Sequence, residues 1–385
     1  MKKIVLKNWQ SPGDVMMITA AVRDLQNAHP GKYLIKVDSS CKEIWENNPH
    51  ITDFPNEEAD QIIRCDYPLI HSSNQKPYHF IHGFRKDLEK KLEVEIPQGD
   101  FKPEIYLRDE EKLWMNQVSE LGYTEKFWIL MAGGKYDYTA KWWNPTFYQE
   151  VVDHFAGKIV FVQCGEKNHF HPPVNNTINL IGKTNLRQYI RLMYHAIGVV
   201  SPVTFAMHLN VGTENPHGLK NRPGVVLAGG REPAQWEAYP HHRFLSNNGS
   251  LPCCDSGGCW KSRCTTVGDG DSKDNNELCH FPEDTGYKTE VNGKRKNVII
   301  PKCLNMIKPQ DVIRAIESYY EGGVLSYEKF SARRLKEVFK IMGDSHNPFK
   351  AEDKKVAKKP PTDPPKRRGR PPKAIKKEAK ATTKK

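Results

Sequence analysis

The sequence predicts an α/β protein of two domains, each built on a parallel sheet, followed by a basic tail with no core of its own. Three observations predict it. At 385 residues the chain exceeds the roughly 250 to 300 residues at which a single apolar core stops growing. Short β-compatible runs alternate with helical periods in two successive cycles, as they do where helices join parallel strands. The last 35 residues, from Ala351, hold eleven Lys and three Arg against four acids, so they carry most of the formal net charge of +12 and leave the body nearly neutral.

The first cycle, residues 1–122, opens with the strand run KKIVLK. Turn residues follow in NWQSPGD, and the spacing of Val15, Ile18, Val22 and Leu25 predicts a helix from Val15 to His29. YLIKV and QIIRC predict further strands, with helices over 79–92 and 110–121. A boundary falls near Gly122 to Lys126, and the second cycle covers 126–325. Here KFWILMAGG is a buried-strand pattern ending in paired glycines, followed by a helix near 144–155 and the strand KIVFVQCG. A helix over 186–195, the strand GVV and a helix near 204–211 come next, then the strand PGVVLAGG. No short period repeats, which excludes a solenoid.

From about Arg231 to residue 305 the pattern gives way to Gly, Cys, Asp and Asn, over a length that calls for an organiser of its own. Pro309 then opens the helical run QDVIRAIESYY, placed where its missing amide is harmless. A terminal helix is expected within 326–344. Residues 345–385, rich in Pro, Lys, Arg and Thr, lack the apolar surface that ordering requires and are expected to be disordered. No apolar run approaches the roughly 20 residues of a membrane span. The start MKKIVLKNWQ has no signal-peptide pattern, so a soluble, cytoplasmic protein is expected.

Chemistry concentrates at the carboxyl ends of predicted strands, where parallel sheets bind ligands. Asp14, in Ser11-Pro12-Gly13-Asp14, is placed for catalysis or, alternatively, for capping the first helix. Gly133 and Gly134 allow close backbone approach, and Thr139 and Lys141 offer a hydroxyl and a charge to phosphate oxygens. The same segment also serves as a plain strand-to-helix turn. Thr204, at a helix start, is a further anion-binding candidate, while His208 suits either a ligand or an ordinary core position.

Three segments in this order resemble family 9 glycosyltransferases, which include ADP-heptose:lipopolysaccharide heptosyltransferases. GDVMMITAAVRDLQNAHPG is similar to their amino-terminal signature, AGGKYDYTAKWWNPTFYQEVV to their Gly-rich Lys-Trp segment, and NLIGKTNLRQYIRLMYHA to their Gly-Lys-Thr-x-Leu stretch. The resemblance covers most of residues 1–230. It implies the GT-B architecture, two facing Rossmann-like domains with the acceptor on the first and the donor mainly on the second. It further implies a single inverting displacement, with Asp14 as general base and Thr139, Lys141 and Thr204 on the diphosphate of a nucleotide-sugar donor, without a catalytic metal. Glu166 would approach a nucleotide ribose. One departure stands out: where the family shows Asp-Ser/Thr-Gly-x-x-His, this chain has Val203-Thr204-Phe205-Ala206-Met207-His208, which leaves the donor sugar open.

Cys253, Cys254, Cys259, Cys264, Cys279 and Cys303 fall in one segment and supply more than the four ligands of a structural zinc, with disulfides or unligated thiols as the alternatives. In the tail, Arg368-Gly369-Arg370-Pro371 resembles an AT-hook, which lays arginines in the minor groove of A·T-rich DNA. A solvated basic tail drawn to any polyanion is the plainer reading. The family resemblance implies a glycan acceptor such as lipopolysaccharide core. The alternatives are a DNA-targeted glycosyltransferase, or a non-catalytic DNA-binding protein on a degenerate transferase fold.

Overall fold

Ile4, Val5 and Leu6 are buried together in the first strand, β1 (Lys2–Asn8), the central strand of its sheet. The computed structural model describes residues 1–65, 72–76, 78–291 and 293–346. After β1 come α1 (Pro12–Ala28), β2 (Tyr33–Ser39) and β3 (Gln61–Arg64), and the strands pair in parallel in the order β2-β1-β3. Helix α2 (Ile81–Leu92) packs against α1. A single helix expected over 110–121 is instead two, α3 (Asp109–Leu113) and α4 (Gln117–Glu120). The break is local: Trp114 is extended, and the Asn116 side chain caps α4 by accepting from the N–H groups of Val118 and Ser119.

The second half runs β4 (Phe127–Leu130), α5 (Pro145–His154), β5 (Val160–Gln163), β6 (Ile178–Asn179), α6 (Leu186–His195), β7 (Gly198–Pro202), α7 (Phe205–Gly212), β8 (Gly224–Gly229), α8 (Ala234–Glu237) and β9 (Arg243–Ser246). Its sheet is parallel throughout, in the order β6-β5-β4-β7-β8-β9. This is the doubly wound order of dinucleotide-binding folds, with the reversal between β4 and β7. Strands β4, β5, β7 and β8 are buried at every position, which is why they read as unbroken apolar runs. On β4, Phe127 and Ile129 join a core that continues into the first half, while Trp128 and Leu130 face a second core containing Tyr148, Val151, Val312 and Ile316.

The remaining elements are α9 (Lys273–Asn276), the antiparallel pair β10 (Pro282–Val291) and β11 (Lys294–Pro301), α10 (Lys302–Asn305), α11 (Pro309–Glu321) and α12 (Ala332–Ser345). Arg334 of α12 grips the segment between the two sheets, donating to both carboxylate oxygens of Glu125 at 2.6 and 2.9 Å and to the Gly122 carbonyl at 2.9 Å. No helix among the described residues is long and apolar enough to cross a membrane.

The organiser of the Cys-rich stretch is an arginine. Arg263 is fully buried and donates to both oxygens of Asp269 at 2.9 and 2.8 Å and to Asp274 at 2.7 Å. Beside it, Thr265 exchanges two hydrogen bonds with the backbone of Ile299 in β11, both at 2.8 Å. The Arg263 guanidinium holds the Asp269 carboxyl below the usual range. Burial pushes Asp274 upward, but the N–H groups of Val267 and Gly268 together with Arg263 outweigh it. Both carboxyls are depressed, so their stabilisation is complete above the unfolded pKa and is lost as pH falls. Arg263→Met is expected to lower unfolding free energy by about 2 kcal/mol, the scale of lost hydrogen bonds to charged groups, since the Asp269 and Asp274 carboxylates left behind are partly solvated. In urea titrations from pH 7 to pH 3, the variant is expected to lose less additional stability than wild type below about pH 4.

Candidate active site

The reversal of strand order between β4 and β7 predicts a ligand crevice at their carboxyl ends, and a cleft of about 680 Å³ lies there. Its walls come from both halves of the chain, with Ser11 to Asp14 on one side and Gly133, Lys141 and Thr204 on the other. Helices α1, α6 and α7 all begin at this cleft, and helix N-termini favour anions. Lys135, Lys141 and Arg231 add three cationic side chains. The volume suits a ligand of drug-like size, and the helix N-termini with Lys135 and Lys141 offer a phosphate a place on a wall that also carries Asp14, Glu166, Glu232 and Glu237.

One glycine is sterically required. Gly133 has a φ of +88°, and a Cβ there would lie 2.1 Å from the Phe170 carbonyl oxygen. The adjacent Gly134 hydrogen-bonds Phe170 through both backbone groups, at 2.8 and 3.1 Å, which holds the loop open toward the cleft. On the opposite wall, a Cβ at Gly13 would meet the His208 ring at 3.3 Å, so α1 and α7 approach closely there.

Asp14 lies in the first turn of α1, which starts at Pro12 and not at Val15 as the apolar spacing suggests. Its Oδ2 accepts the Ser11 N–H at 2.9 Å, so the residue both contributes to the helix cap and lines the cleft. Lys135 reaches across from the other half to donate to Ser11 Oγ at 3.1 Å. Lys141 donates to Glu232 Oε1 at 2.7 Å and to the Val203 carbonyl at 3.2 Å, leaving one of its three N–H groups for a ligand. Thr204 stands at the start of α7, with its Oγ1 shielded and without a hydrogen-bond partner. Glu166 is at the exposed rim, 3.2 Å from His169 Nε2.

Thr139 is the correction among these residues. It is fully buried, donates to the Thr265 carbonyl at 2.7 Å and accepts the Cys264 N–H at 2.9 Å. Its hydroxyl fastens the Cys-rich stretch to the glycine loop and is spent before any phosphate could use it. His208 is also buried. Its Nδ1 shares a 2.9 Å hydrogen bond with the Tyr239 hydroxyl, and burial lowers its pKa to about 3, so the imidazole is neutral.

Three cleft residues escape the sequence motifs: Arg231, Glu232 and Glu237. They sit just past β8, where the regular pattern stops, and Glu232 and Glu237 are almost completely buried. Burial alone would raise the Glu232 carboxyl, but Arg231, ion-paired to it, and Lys141 hold it below the usual range. Glu237 lacks such pairing. Burial and then the Glu232 charge push it up to about 8. The signal was present in the cluster R-E-P-A-Q-W-E at a strand's carboxyl end, a position where parallel sheets bind ligands.

A carboxyl raised in the folded state binds more protons than it does in the unfolded chain between their two pKa values, so stability falls as pH rises across that window. Glu237→Gln removes that slope. Thermal melts are expected to show the variant gaining on wild type from about pH 5 to about pH 8, with the difference level above that.

The zinc expectation finds no support in the described residues. Cys253, Cys254, Cys259, Cys264, Cys279 and Cys303 carry free thiols in one neighbourhood, yet no group of three or more His, Cys, Asp or Glu among the described residues is arranged to hold a metal. Instead Cys254 donates to the carbonyls of Asn247 and Leu251, and Cys264 donates to Cys279, which lowers the Cys279 thiol to about 7. Arg368, Gly369, Arg370 and Pro371, the AT-hook-like residues, lie outside the described residues.

Two parallel α/β halves facing one phosphate-suited cleft define a GT-B fold. No protein-family model and no curated protein matches the chain. Solved structures do, and they are glycosyltransferases. The chain is similar to the glycosyl transferase family 9 from Veillonella parvula DSM 2008, at 16% identity and a TM-score of 0.52 over 83% of this chain and 98% of that one. It is also similar to the iron-containing dodecameric glycosyltransferase TibC from enterotoxigenic E. coli H10407, at 16% identity and a TM-score of 0.52 over 83% and 78%. The heptosyltransferase TibC in complex with ADP-D-beta-D-heptose gives 17% identity and a TM-score of 0.53 over 84% and 78%. At such identities the likeness establishes the fold.

Proposed function

We propose that this protein is an inverting glycosyltransferase that moves a sugar from a nucleotide-diphosphate donor to a hydroxyl of a glycan such as lipopolysaccharide core. The observation that carries this is the meeting of Asp14 and Lys141, from different halves of the chain, in the walls of one cleft. An in-line displacement needs a carboxylate at the attacking hydroxyl and fixed positive charge at the departing phosphate. Asp14 takes the acceptor proton as the acceptor oxygen bonds to the anomeric carbon. The bond from that carbon to the diphosphate breaks with its electron pair on the leaving oxygen. Lys141, Lys135, the backbone at Gly133 and Gly134, and the start of α7 at Thr204 receive the growing negative charge. Glu166 at the rim is placed for the nucleoside. The GT-B fold shared with nucleotide-sugar enzymes supports the reading.

The test is nucleoside diphosphate release across ADP-, GDP-, UDP- and CDP-sugars, including ADP-D-beta-D-heptose, with core oligosaccharide or duplex DNA as acceptor. Asp14→Asn is expected to lower kcat by roughly 10²- to 10⁴-fold while still binding donor. Lys141→Ala is expected to weaken nucleoside diphosphate binding roughly 10- to 100-fold. Thr139→Val is expected to lower the melting temperature and leave that affinity unchanged. Full activity in Asp14→Asn would remove this mechanism, and a shift of acceptor preference to DNA would change the substrate.

A further inference from the structure

Three shielded oxygens in the cleft wall have no hydrogen-bond partner among the described residues: Glu232 Oε2, Glu237 Oε2 and Thr204 Oγ1. Such groups cost roughly 1 to 3 kcal/mol each when left unmatched. Nearby protein donors do not serve them. Lys141 and Arg231 reach the other oxygen of Glu232, and His208 Nε2 stands 3.5 Å from Glu237 Oε2. The phosphate-binding groups lie alongside, because Lys141 holds Glu232 and the Val203 carbonyl at once. A ligand anchored by its diphosphate would therefore present its next chemical group to this wall.

We infer that Glu232 and Glu237, with Thr204, form the specificity site for the donor's sugar, reading adjacent free hydroxyls on the ring. The inference rests on the transferase reading above and deepens it. Hydroxyls are the matching chemistry because each can donate to a carboxylate oxygen and accept from a hydroxyl or a protonated carboxyl. Ionised Glu232 can only accept, so it selects a hydroxyl that donates. Glu237, which keeps its proton near neutral pH, can do both. The site thus favours sugars with two neighbouring free hydroxyls and disfavours deoxy or acylated sugars at those positions, as buried polar groups left unmatched reject analogues strongly. Val203 offers no carboxylate here, and the two glutamates supply the acceptors from α8 and its approach.

Calorimetric binding of each bare nucleoside diphosphate and its sugar conjugate, using the donor panel above, tests this on the full chain. Wild type is expected to bind one conjugate more tightly than the bare diphosphate. Glu237→Leu is expected to lose about ten- to hundredfold of that sugar-dependent gain while retaining affinity for the bare diphosphate, and Glu232→Gln to lose a similar factor in the ratio of conjugate to bare-diphosphate affinity, the bare diphosphate itself binding more tightly as Lys141 is released. Glu237→Gln, which can still donate and accept, is expected to keep most of it. A purely structural role would instead weaken both ligands together. If the gain survives in both Glu237→Leu and Glu232→Gln, or if wild type shows none despite binding the diphosphate, the sugar site is wrong and the transferase reading stands. If wild type binds no nucleoside diphosphate, both fall.

Discussion

The cleft depends on one buried guanidinium. Arg187, near the start of α6 in the second half, donates to both oxygens of Glu111 in the first half at 2.7 and 2.6 Å. It also donates to the carbonyls of Glu43 and Tyr106 at 3.0 and 2.7 Å. Taking such a charge out of water is costly, and only this full set of acceptors offsets it. The value of the arrangement is therefore geometric more than energetic. A shift of either half by an ångström or two would leave the charge unmatched, so the pair sets the spacing at which Asn185 and Tyr189 of α6 face the first half across the cleft.

With the walls held, charge within the cleft is shared unevenly. Lys141 and Arg231 both pair with Glu232, while Glu237, close by, faces a neutral His208. Two carboxylates that share few cations cannot both stay ionised at low cost, and the less well paired one takes a proton. The cleft consequently presents an acceptor and a neutral acid side by side. It keeps positive charge without fixing every N–H of Lys141 to the protein. The same economy explains why Lys135 hydrogen-bonds to a serine hydroxyl and not to a carboxylate.

Much of the fold was legible because doubly buried strands leave unbroken apolar runs, as in β4, β5, β7 and β8. Helix α6 was legible from end to end because Asn185 caps it and its apolar face repeats regularly. Strand β9 was not, since Arg243 is exposed and its companions are only half-buried at the sheet edge. Asp14, Lys141 and Thr204, which line the cleft, were legible as candidates because they follow readable strands. Thr139 was misassigned for a reason sequence cannot supply. A hydroxyl two residues from Lys141 looks equally suited to phosphate or backbone, and the partner that decides, Thr265, is distant in sequence. The cysteines misled similarly. Their density suggested a metal organiser, whereas the single Arg263 between Asp269 and Asp274 performs that task among the described residues.

Position 203 lies where the cleft wall meets an apolar cluster. Lys141 touches position 203 only through the backbone carbonyl, so a carboxylate there, as the resemblance leads one to expect, would replace a side chain buried among Met207, Val226, Ala228 and Tyr239. It would add a further acid to a cleft containing Asp14, Glu232 and Glu237, with no additional cation to balance it. A carboxylate buried among apolar side chains without a cation of its own is costly, and it favours the protonated form. Valine avoids that cost and packs with Met207 and Tyr239. The carboxylates of this part of the cleft stand instead at Glu232 and Glu237, and Glu232 is the one that meets Lys141 and Arg231.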